Sequence, residues 1–270
     1  MLATLASLVD RFDRLISTKT GVIDWSCPVP SFGDPSRSRI ATLGINPSNR
    51  EFVDENGEEL AGSRRRFHTL HSLSLRSWAD ADCRHLRLID RTCREYFQRN
   101  PYDRWFKRLD GIVIGAGASY YDELSSACHL DVIPYATREK WTNLAPTQKA
   151  ALLGIGGDAL GSLLRESAIG VLILNGRAVV NYVERLTQTP LAAVEKAAWS
   201  LSRGSRAKVI GIAYKGWIDS IGGVNLDRRV LALGFNHNIQ SSFGVTRETV
   251  HAIRCWVAEA IEEANCETEG

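Results

Sequence analysis

The sequence predicts an α/β protein, a three-layer α/β/α sandwich built around a short, mainly parallel central sheet. Apolar, strand-like runs occur at Ile40–Ile45, Leu130–Ile133 and Gly170–Leu174, and each ends in turn residues. Longer stretches with helical spacing of apolar residues lie between these runs. The 270 residues, 44% of them hydrophobic, are enough for a single domain with a well-buried core, so one domain is predicted over 1–270.

The two ends of the chain predict helices that pack on this core. Charged residues interrupt the apolar ones of residues 1–17, which lack the basic start of a signal peptide, so this segment predicts an amphipathic helix. Residues 246–264 predict a closing helix with Thr246 as its N-cap. The six scattered cysteines form no C-x-x-C pair, and no apolar run could span a bilayer. These features favour a reducing, cytoplasmic location and exclude a zinc ribbon.

The first strand delivers polar residues to a sheet edge. Ile40–Ile45 is followed at once by Asn46, Pro47 and Ser48, which is turn chemistry. Ligands of open α/β sheets bind outside the carboxyl ends of the strands, so these three residues are candidates for a site. An ordinary Asn-Pro turn remains the alternative on the pattern alone.

Gly44 to Ser48, Gly-Ile-Asn-Pro-Ser, resembles the first motif of the uracil-DNA glycosylase superfamily. It is similar to the Gly-Ile-Asn-Pro-Gly of the mismatch-specific and thymine-DNA branches, with Ser48 in place of the last glycine. The resemblance implies a uracil-DNA glycosylase-like fold, flipping of a base out of DNA, and catalysis without metal or cofactor. It also implies that Asn46 holds the attacking water and that Pro47 and Ser48 contact the substrate.

A long polar loop follows, and it contains the densest positive charge of the chain. Arg64, Arg65 and Arg66 predict either a solvated helix start or a clamp on DNA phosphates, and the two readings weigh about equally. Phe52 and Phe67 flank this region as candidates to stack on a base. The net charge of +2 is too small to indicate nucleic-acid binding by itself.

Four further helices are predicted, at 79–98, 102–109, 147–167 and 177–186, from the spacing of their apolar residues. In the second of these, Trp105 is expected on the buried face. The glycines of the third do not form G-x-G-x-x-G after a strand, which argues against a dinucleotide site.

The second strand ends near Asp131, where the superfamily resemblance places the residue that reads the flipped base. The single-strand-selective branch has Asn-Phe-Cys-Pro there, whereas this chain has Asp131 to Pro134, Asp-Val-Ile-Pro. An ionised carboxylate only accepts hydrogen bonds, and it pairs with the amine of cytosine. A protonated Asp131 could instead donate to the ring of the leaving base. Capping a helix, or pairing with Arg138, is the alternative role of Asp131.

Two more strands are predicted at Lys208–Tyr214 and Arg229–Phe235, and the pair could form a hairpin. The second leads into residues 236–245, where the superfamily's second motif, commonly His-Pro-Ser-Pro, should stand; here only the histidine is present. By resemblance, His237 donates to the departing base. The same resemblance places Asn238, Gln240 and Ser241 at the substrate and Ser242 at the DNA backbone, with Gln240 or Phe243 as a wedge.

Together these features predict a monofunctional DNA glycosylase with Asn46, Asp131 and His237 as catalytic residues. Its expected partner is double-stranded DNA, with no membrane and no obligatory protein partner. Asp131 favours a modified cytosine, and an anti-phage branch of the superfamily removes glucosylated hydroxymethylcytosine from viral DNA. A repair glycosylase for uracil or other deaminated bases is the first alternative. A catalytically inactive nucleic-acid-binding protein is the second.

Overall fold

The elements come from a computed structural model, which describes residues 1–100, 103–122, 126–203 and 206–269. The helices are α1 (Leu2–Asp10), α2 (Phe12–Ser17), α3 (Cys83–Arg94), α4 (Tyr96–Arg99), α5 (Arg104–Val113), α6 (Pro146–Gly156), α7 (Ala159–Arg165), α8 (Arg177–Thr187) and α9 (Arg247–Glu269). The strands are β1 (Ile40–Gly44), β2 (Ala127–Asp131), β3 (Val171–Asn175), β4 (Ala192–Arg203), β5 (Arg206–Ile221) and β6 (Val224–Phe235).

One mixed sheet, in the order β2-β1-β3-β6-β5-β4, forms the middle layer of the described chain. The first four strands in this order run parallel, whereas β5 and β4 extend the sheet as antiparallel strands. Helices flank the sheet. The predicted α/β class and three-layer sandwich with a mainly parallel sheet are confirmed.

The parallel strands occupy the centre of the molecule. In β1, Ile40, Ala41, Thr42 and Leu43 are all buried. A strand covered on both faces needs apolar residues in succession and not in alternation, which is why the sequence pattern identified it. The second strand was predicted at Leu130–Ile133, but β2 begins and ends earlier because its ladder with β1 runs from Ala127 to Asp131.

The carboxyl-terminal half of the sheet is larger than predicted. The two predicted strands do form a hairpin, β5 and β6, and it turns at Gly222 and Gly223, whose φ values are +60° and +78°. Strand β4 was not predicted. Its sequence, AAVEKAAWSLSR, contains four Ala, one Glu and one Lys, which are residues depleted in strands, so pairing with β5 and not local preference fixes its conformation.

Three predicted helices are each divided in two. Residues 1–17 form α1 and α2, with Arg11 between them. The segment 79–98 contains α3, which starts at the capping residue Asp82, and then α4. The segment 147–167 divides into α6 and α7 around Gly157. The predicted helix at 102–109 appears as α5, and its first residue, Tyr102, lies outside the described residues.

Both terminal helices contribute to the same core. Leu5 and Leu8 of α1 and Ile253 and Val257 of α9 belong to one continuous cluster of buried apolar residues. No helix in the described part of the chain combines the length and the apolar character needed to cross a membrane.

An aromatic cluster fills the space beneath the loop that follows β1. Phe32 lies at its centre, with ring centroids 4.8 to 5.5 Å from those of Phe67, Tyr96, Phe106 and His129. Phe67 also stacks on Tyr96 at 5.2 Å and is only 1% exposed. Such rings contribute through buried area and through edge-to-face and stacked contacts.

The burial of Phe67 predicts a large effect on stability. We expect Phe67→Ala to lower the free energy of unfolding by about 3–5 kcal/mol, because the change empties a closely packed site. Phe243→Ala is the control, since that ring is 76% exposed and its removal should change stability by less than about 0.5 kcal/mol. Urea unfolding of both variants checks this, and equal stability losses would contradict the packing described.

Candidate functional site

A cavity of about 650 Å³, here called the edge cavity, opens at the carboxyl ends of the parallel strands. Asn46 follows β1, Asp131 ends β2, Asn175 ends β3 and Asn238 follows β6, and all four line this cavity. The amino-terminal part of α5 forms another wall. The topology therefore gathers polar residues from distant parts of the chain in one place, as expected for an open α/β sheet.

Gly44 makes room for the side chains of this edge. It stands opposite Asp131 in the β1–β2 ladder. A Cβ atom at this position would overlap Asp131 Oδ1 and lie 3.0 Å from His129 Nε2. Any larger residue would therefore displace the acidic group from the cavity.

Asn46 is half-buried, and hydrogen bonds from its Nδ2, the shortest to Thr137 Oγ1 and another to the Pro47 carbonyl oxygen at 3.2 Å, orient it. Its Nδ2 donates to Thr137 Oγ1 at 3.0 Å, and Thr137 Oγ1 donates to the Glu139 carbonyl oxygen at 2.7 Å. No described residue donates to Asn46 Oδ1. This oxygen is free to accept a hydrogen bond from a water or a ligand. Of the neighbouring predicted residues, Pro47 is buried and Ser48 exposed, and both line the edge cavity.

Asp131 is 4% exposed and lines the cavity, yet within the described ranges no group donates a hydrogen bond to its carboxylate. His129 Nε2 lies 3.6 Å from Oδ1, beyond hydrogen-bonding distance. The alternative pairing with Arg138 is not formed, because that side chain binds Asp24 at 2.6 Å. The carboxylate faces the cavity without a hydrogen-bond donor, which leaves it available to accept from a ligand.

His129 supports this carboxylate and was not predicted. Its Nδ1 lies 2.7 Å from Thr42 Oγ1, which in turn lies 2.5 Å from the Tyr120 hydroxyl. This chain of buried groups holds the ring so that Nε2 faces Asp131. The sequence could have indicated this role, because His129 lies two residues before Asp131 and residues i and i+2 of a strand project from the same face.

The wall of the cavity also contains two acidic side chains, Glu51 and Asp103, that were not predicted from the sequence. Arg66 Nη1 lies 3.1 Å from Asp103 Oδ2 and 3.3 Å from Glu51 Oε1, and the Tyr96 hydroxyl donates to Glu51 Oε2 at 2.9 Å. Burial raises the pKa of Glu51 to about 7, although Arg66 and the Tyr96 hydrogen bond oppose the rise. The charge of Asp103 adds to it. Nothing local in the sequence brings these four residues together.

The predicted arginine clamp is divided by the fold. Arg66 lines the edge cavity but is held by two carboxylates. Arg64 is exposed and lies 3.7 Å from Asp54 Oδ2, and neither Arg64 nor Arg65 lines the cavity. The two phenylalanines predicted to stack on a base, Phe52 and Phe67, are each 1% exposed in the aromatic core. A ring buried to this extent cannot stack on a base, so the predicted base-stacking role of Phe52 and Phe67 is wrong.

His237, predicted as catalytic, is not among the residues of the edge cavity. Its ring is 2% exposed, and Nε2 lies 2.7 Å from the carbonyl oxygen of Trp199 in β4. The predicted role is corrected because the ring is directed toward the strand that the sequence did not reveal. The next residue, Asn238, lines the cavity instead.

The loop after β6 is fixed by hydrogen bonds to the end of β3. Asn175 Nδ2 donates to Gln240 Oε1 at 2.7 Å, and Ile239 N donates to Asn175 Oδ1 at 3.0 Å. Asn238 Oδ1 accepts from the backbone N–H groups of Gln240 and Ser241. No described residue binds Asn238 Nδ2, which leaves a donor at the cavity.

The remaining predicted residues of this loop lie toward its outer end. Ser242 Oγ accepts from Asn238 N at 2.9 Å and so helps to close the turn, and Ser241 is exposed. Phe243 is 76% exposed and stays a candidate for insertion into a duplex.

Trp105 supplies an aromatic surface that the sequence analysis assigned to the core. The indole is 42% exposed and lines the edge cavity, with its ring centroid 5.5 Å from that of His129. Among the described residues that line the cavity, the aromatic rings of Phe32 and Phe106 are each 3% exposed, so Trp105 has the freer face. A planar ligand in the cavity could therefore stack on it.

Comparison with protein-family models and with curated protein sequences finds no match for this chain. The assignment of the site therefore depends on its own geometry.

The raised pKa of Glu51 predicts a pH-dependent stability. Its pKa is about 7 in the folded chain against an ordinary 4.5, so the folded state binds this proton more tightly than the unfolded state does. Stability is consequently lost as the pH rises from about 4.5 to about 7. We expect Glu51→Gln to match the wild type at pH 4 and to exceed its free energy of unfolding by about 3 kcal/mol at pH 8.

The control for this experiment is Glu262→Gln, which changes an exposed carboxylate on α9. Its free energy of unfolding should stay within about 0.5 kcal/mol of the wild type, because the side chain is exposed. Urea unfolding at pH 4, 6 and 8 provides the measurement. A Glu51→Gln difference that is independent of pH would show that Glu51 ionises normally in the folded chain.

Proposed function

We propose that the protein is a DNA glycosylase that flips a modified cytosine out of the duplex and hydrolyses its N-glycosidic bond, leaving an abasic site. The observation that carries the proposal is one cavity holding both a buried carboxylate without a donor, Asp131, and an amide oxygen without a donor, Asn46. The first suits recognition of a base edge, and the second suits positioning of a water.

Recognition of the base follows from what each side chain can donate or accept. The Asp131 carboxylate accepts from the exocyclic amine of a cytosine, the pairing that cytosine makes with acidic side chains. Asn238 Nδ2 donates to the base carbonyl, and Trp105 stacks on the ring. Uracil is disfavoured, because it would turn a carbonyl oxygen toward the carboxylate.

The chemistry requires one water and no additional reactant. Asn46 Oδ1 accepts a hydrogen bond from the water and holds it beneath the anomeric carbon. As the bond between that carbon and the base nitrogen breaks, its electron pair moves onto the base and the water oxygen bonds to the sugar. The base leaves with one proton of the water. Donation from Asn238 stabilises the negative charge that develops on the base.

The size and polarity of the edge cavity favour a base with a polar substituent. Its 650 Å³ exceeds the space that a plain pyrimidine fills. Glu51, Arg66 and Asp103 in the wall offer hydrogen-bonding groups for the hydroxyls of an attached sugar. Glucosylated hydroxymethylcytosine of phage DNA is such a base, so the proposed role is defence against phage, acting on double-stranded DNA in the cytoplasm.

An abasic-site assay on four duplexes tests the proposal: uracil-containing, plain cytosine, hydroxymethylcytosine and glucosylated hydroxymethylcytosine. We expect product only from the glucosylated DNA. Asp131→Asn should lower the rate at least 10-fold, because a neutral amide oxygen accepts from the amine of the base more weakly than an ionised carboxylate does. Asn46→Ala should do the same through loss of the positioned water.

Asp24→Asn is the matched control, since this aspartate lies on the surface in a pair with Arg138. It should retain the wild-type rate. Release of uracil by the wild type, or unchanged activity of Asp131→Asn on glucosylated DNA, would refute the assignment of the base.

A further inference from the structure

A second cavity, of about 510 Å³, lies between α5 and α9 and is lined mainly by basic and apolar residues. Its basic side chains, which define what we call the basic groove, are those of Lys107, Arg108, Arg247, His251 and Arg254. No acidic residue lines it in the described part of the chain. Positive charge concentrated in a concave surface raises the local concentration of anionic ligands.

The arginines of the basic groove are not engaged with carboxylates. Among the described residues, no ion pair involves Arg108, Arg247 or Arg254, and Arg254 Nη2 instead contacts His251 Nδ1 at 2.7 Å. Two carboxylates lie nearby but do not line the groove. Asp110 accepts from Ser119 Oγ and Tyr120 N and Glu248 from the Thr246 side chain, while the charge of Lys107 acts on Asp110 and that of Arg247 on Glu248.

This arrangement contrasts with the arginine run of the loop after β1. Arg66 is held by Glu51 and Asp103, and Arg64 lies beside Asp54. The net charge of the whole chain is only +2. The charge of Arg108, Arg247 and Arg254 is therefore less compensated by carboxylates than that of Arg64 and Arg66, and a polyanion would be attracted to the basic groove more than to the predicted clamp.

The basic groove adjoins the edge cavity along two elements. In α5, Arg104 and Trp105 line the edge cavity, whereas Lys107 and Arg108 line the groove one helical turn further on, about 5.4 Å along the axis. In the loop after β6, Asn238 lines the edge cavity and the following Ile239 lines the groove. The two spaces thus share walls.

We propose that the basic groove binds the phosphodiester backbone of the DNA strand beside the nucleotide held in the edge cavity, an inference that rests on the proposed function. Phosphates flank every nucleotide, so a base in the edge cavity places its neighbouring phosphates near the shared walls. Guanidinium groups bind phosphate oxygens strongly and can do so in pairs. The exposed Phe243 lies in the segment that connects Asn238 to the groove residue Val245, next to the path of that strand.

The salt dependence of DNA binding tests this proposal. Dissociation constants for an unmodified duplex are measured from 50 to 200 mM salt for the wild type and for Arg108→Ala/Arg247→Ala. Each lost phosphate contact reduces the magnitude of the slope of log K against log salt by about 0.9. The slope of the double variant should therefore be smaller in magnitude by about 2. At 100 mM salt its affinity should fall about 10- to 100-fold.

The matched control is Arg14→Ala/Arg185→Ala, which removes two exposed arginines that line a different cavity. Its slope should equal that of the wild type. Thermal unfolding serves as the check that both double variants fold. We expect them to fold, because all four side chains are exposed. A slope in Arg108→Ala/Arg247→Ala equal to that of the wild type would overturn the proposal. Displacement of the duplex by polyglutamate at equal charge concentration would also overturn the proposal. It would indicate an acidic protein as the partner of the basic groove.

The binding experiment separates this proposal from the proposed function, since it uses DNA without the modified base and requires no catalysis. A smaller slope without base release from any duplex would support the groove and reject the glycosylase. Base release that depends on Asp131, together with an unchanged slope, would support the glycosylase and reject the groove.

Discussion

The carboxylate of Asp131 is the group on which the rest of the site depends. It is buried at the end of a central strand, and the described protein supplies it with no hydrogen-bond donor. Gly44 leaves the space that this carboxylate occupies, and His129 Nε2 lies 3.6 Å from it. A ligand in the edge cavity would supply the donors that the protein does not. Functional sites are where proteins depart from the satisfied interiors seen elsewhere.

The fold explains how the other groups reach this carboxylate. Parallel strands end at one edge of the sheet, so Asn46, Asp131 and Asn175 arrive together although they are far apart in the chain. The cluster formed by Glu51, Arg66 and Asp103, of which Glu51 is buried, then closes one wall and contributes polar atoms that a plain pyrimidine does not need. The same helix that carries Trp105 continues into the basic groove. The edge cavity and the basic groove are thus parts of one surface.

The sequence predicted the central strands and two of the key residues, because a run of buried residues followed by turn chemistry is a local signal. It could not predict β4, whose strand conformation depends on pairing with β5. The position of His237 was missed for the same reason, since its hydrogen-bond partner lies in β4. Phe52 and Phe67 occur in a polar loop and appeared available, but the folded loop covers them. His129 was detectable, because it lies two residues before Asp131 on the same strand face.

A crystal structure with a duplex carrying 2′-fluorinated glucosyl-hydroxymethylcytidine, which resists loss of its base, would show whether Asp131 binds the target base. We expect the flipped base in the edge cavity, its exocyclic amine about 2.7–3.1 Å from Asp131, and a water between Asn46 and the anomeric carbon. A base that stays stacked in the duplex would contradict the proposed function. So would a base bound elsewhere on the protein with Asp131 still lacking a donor.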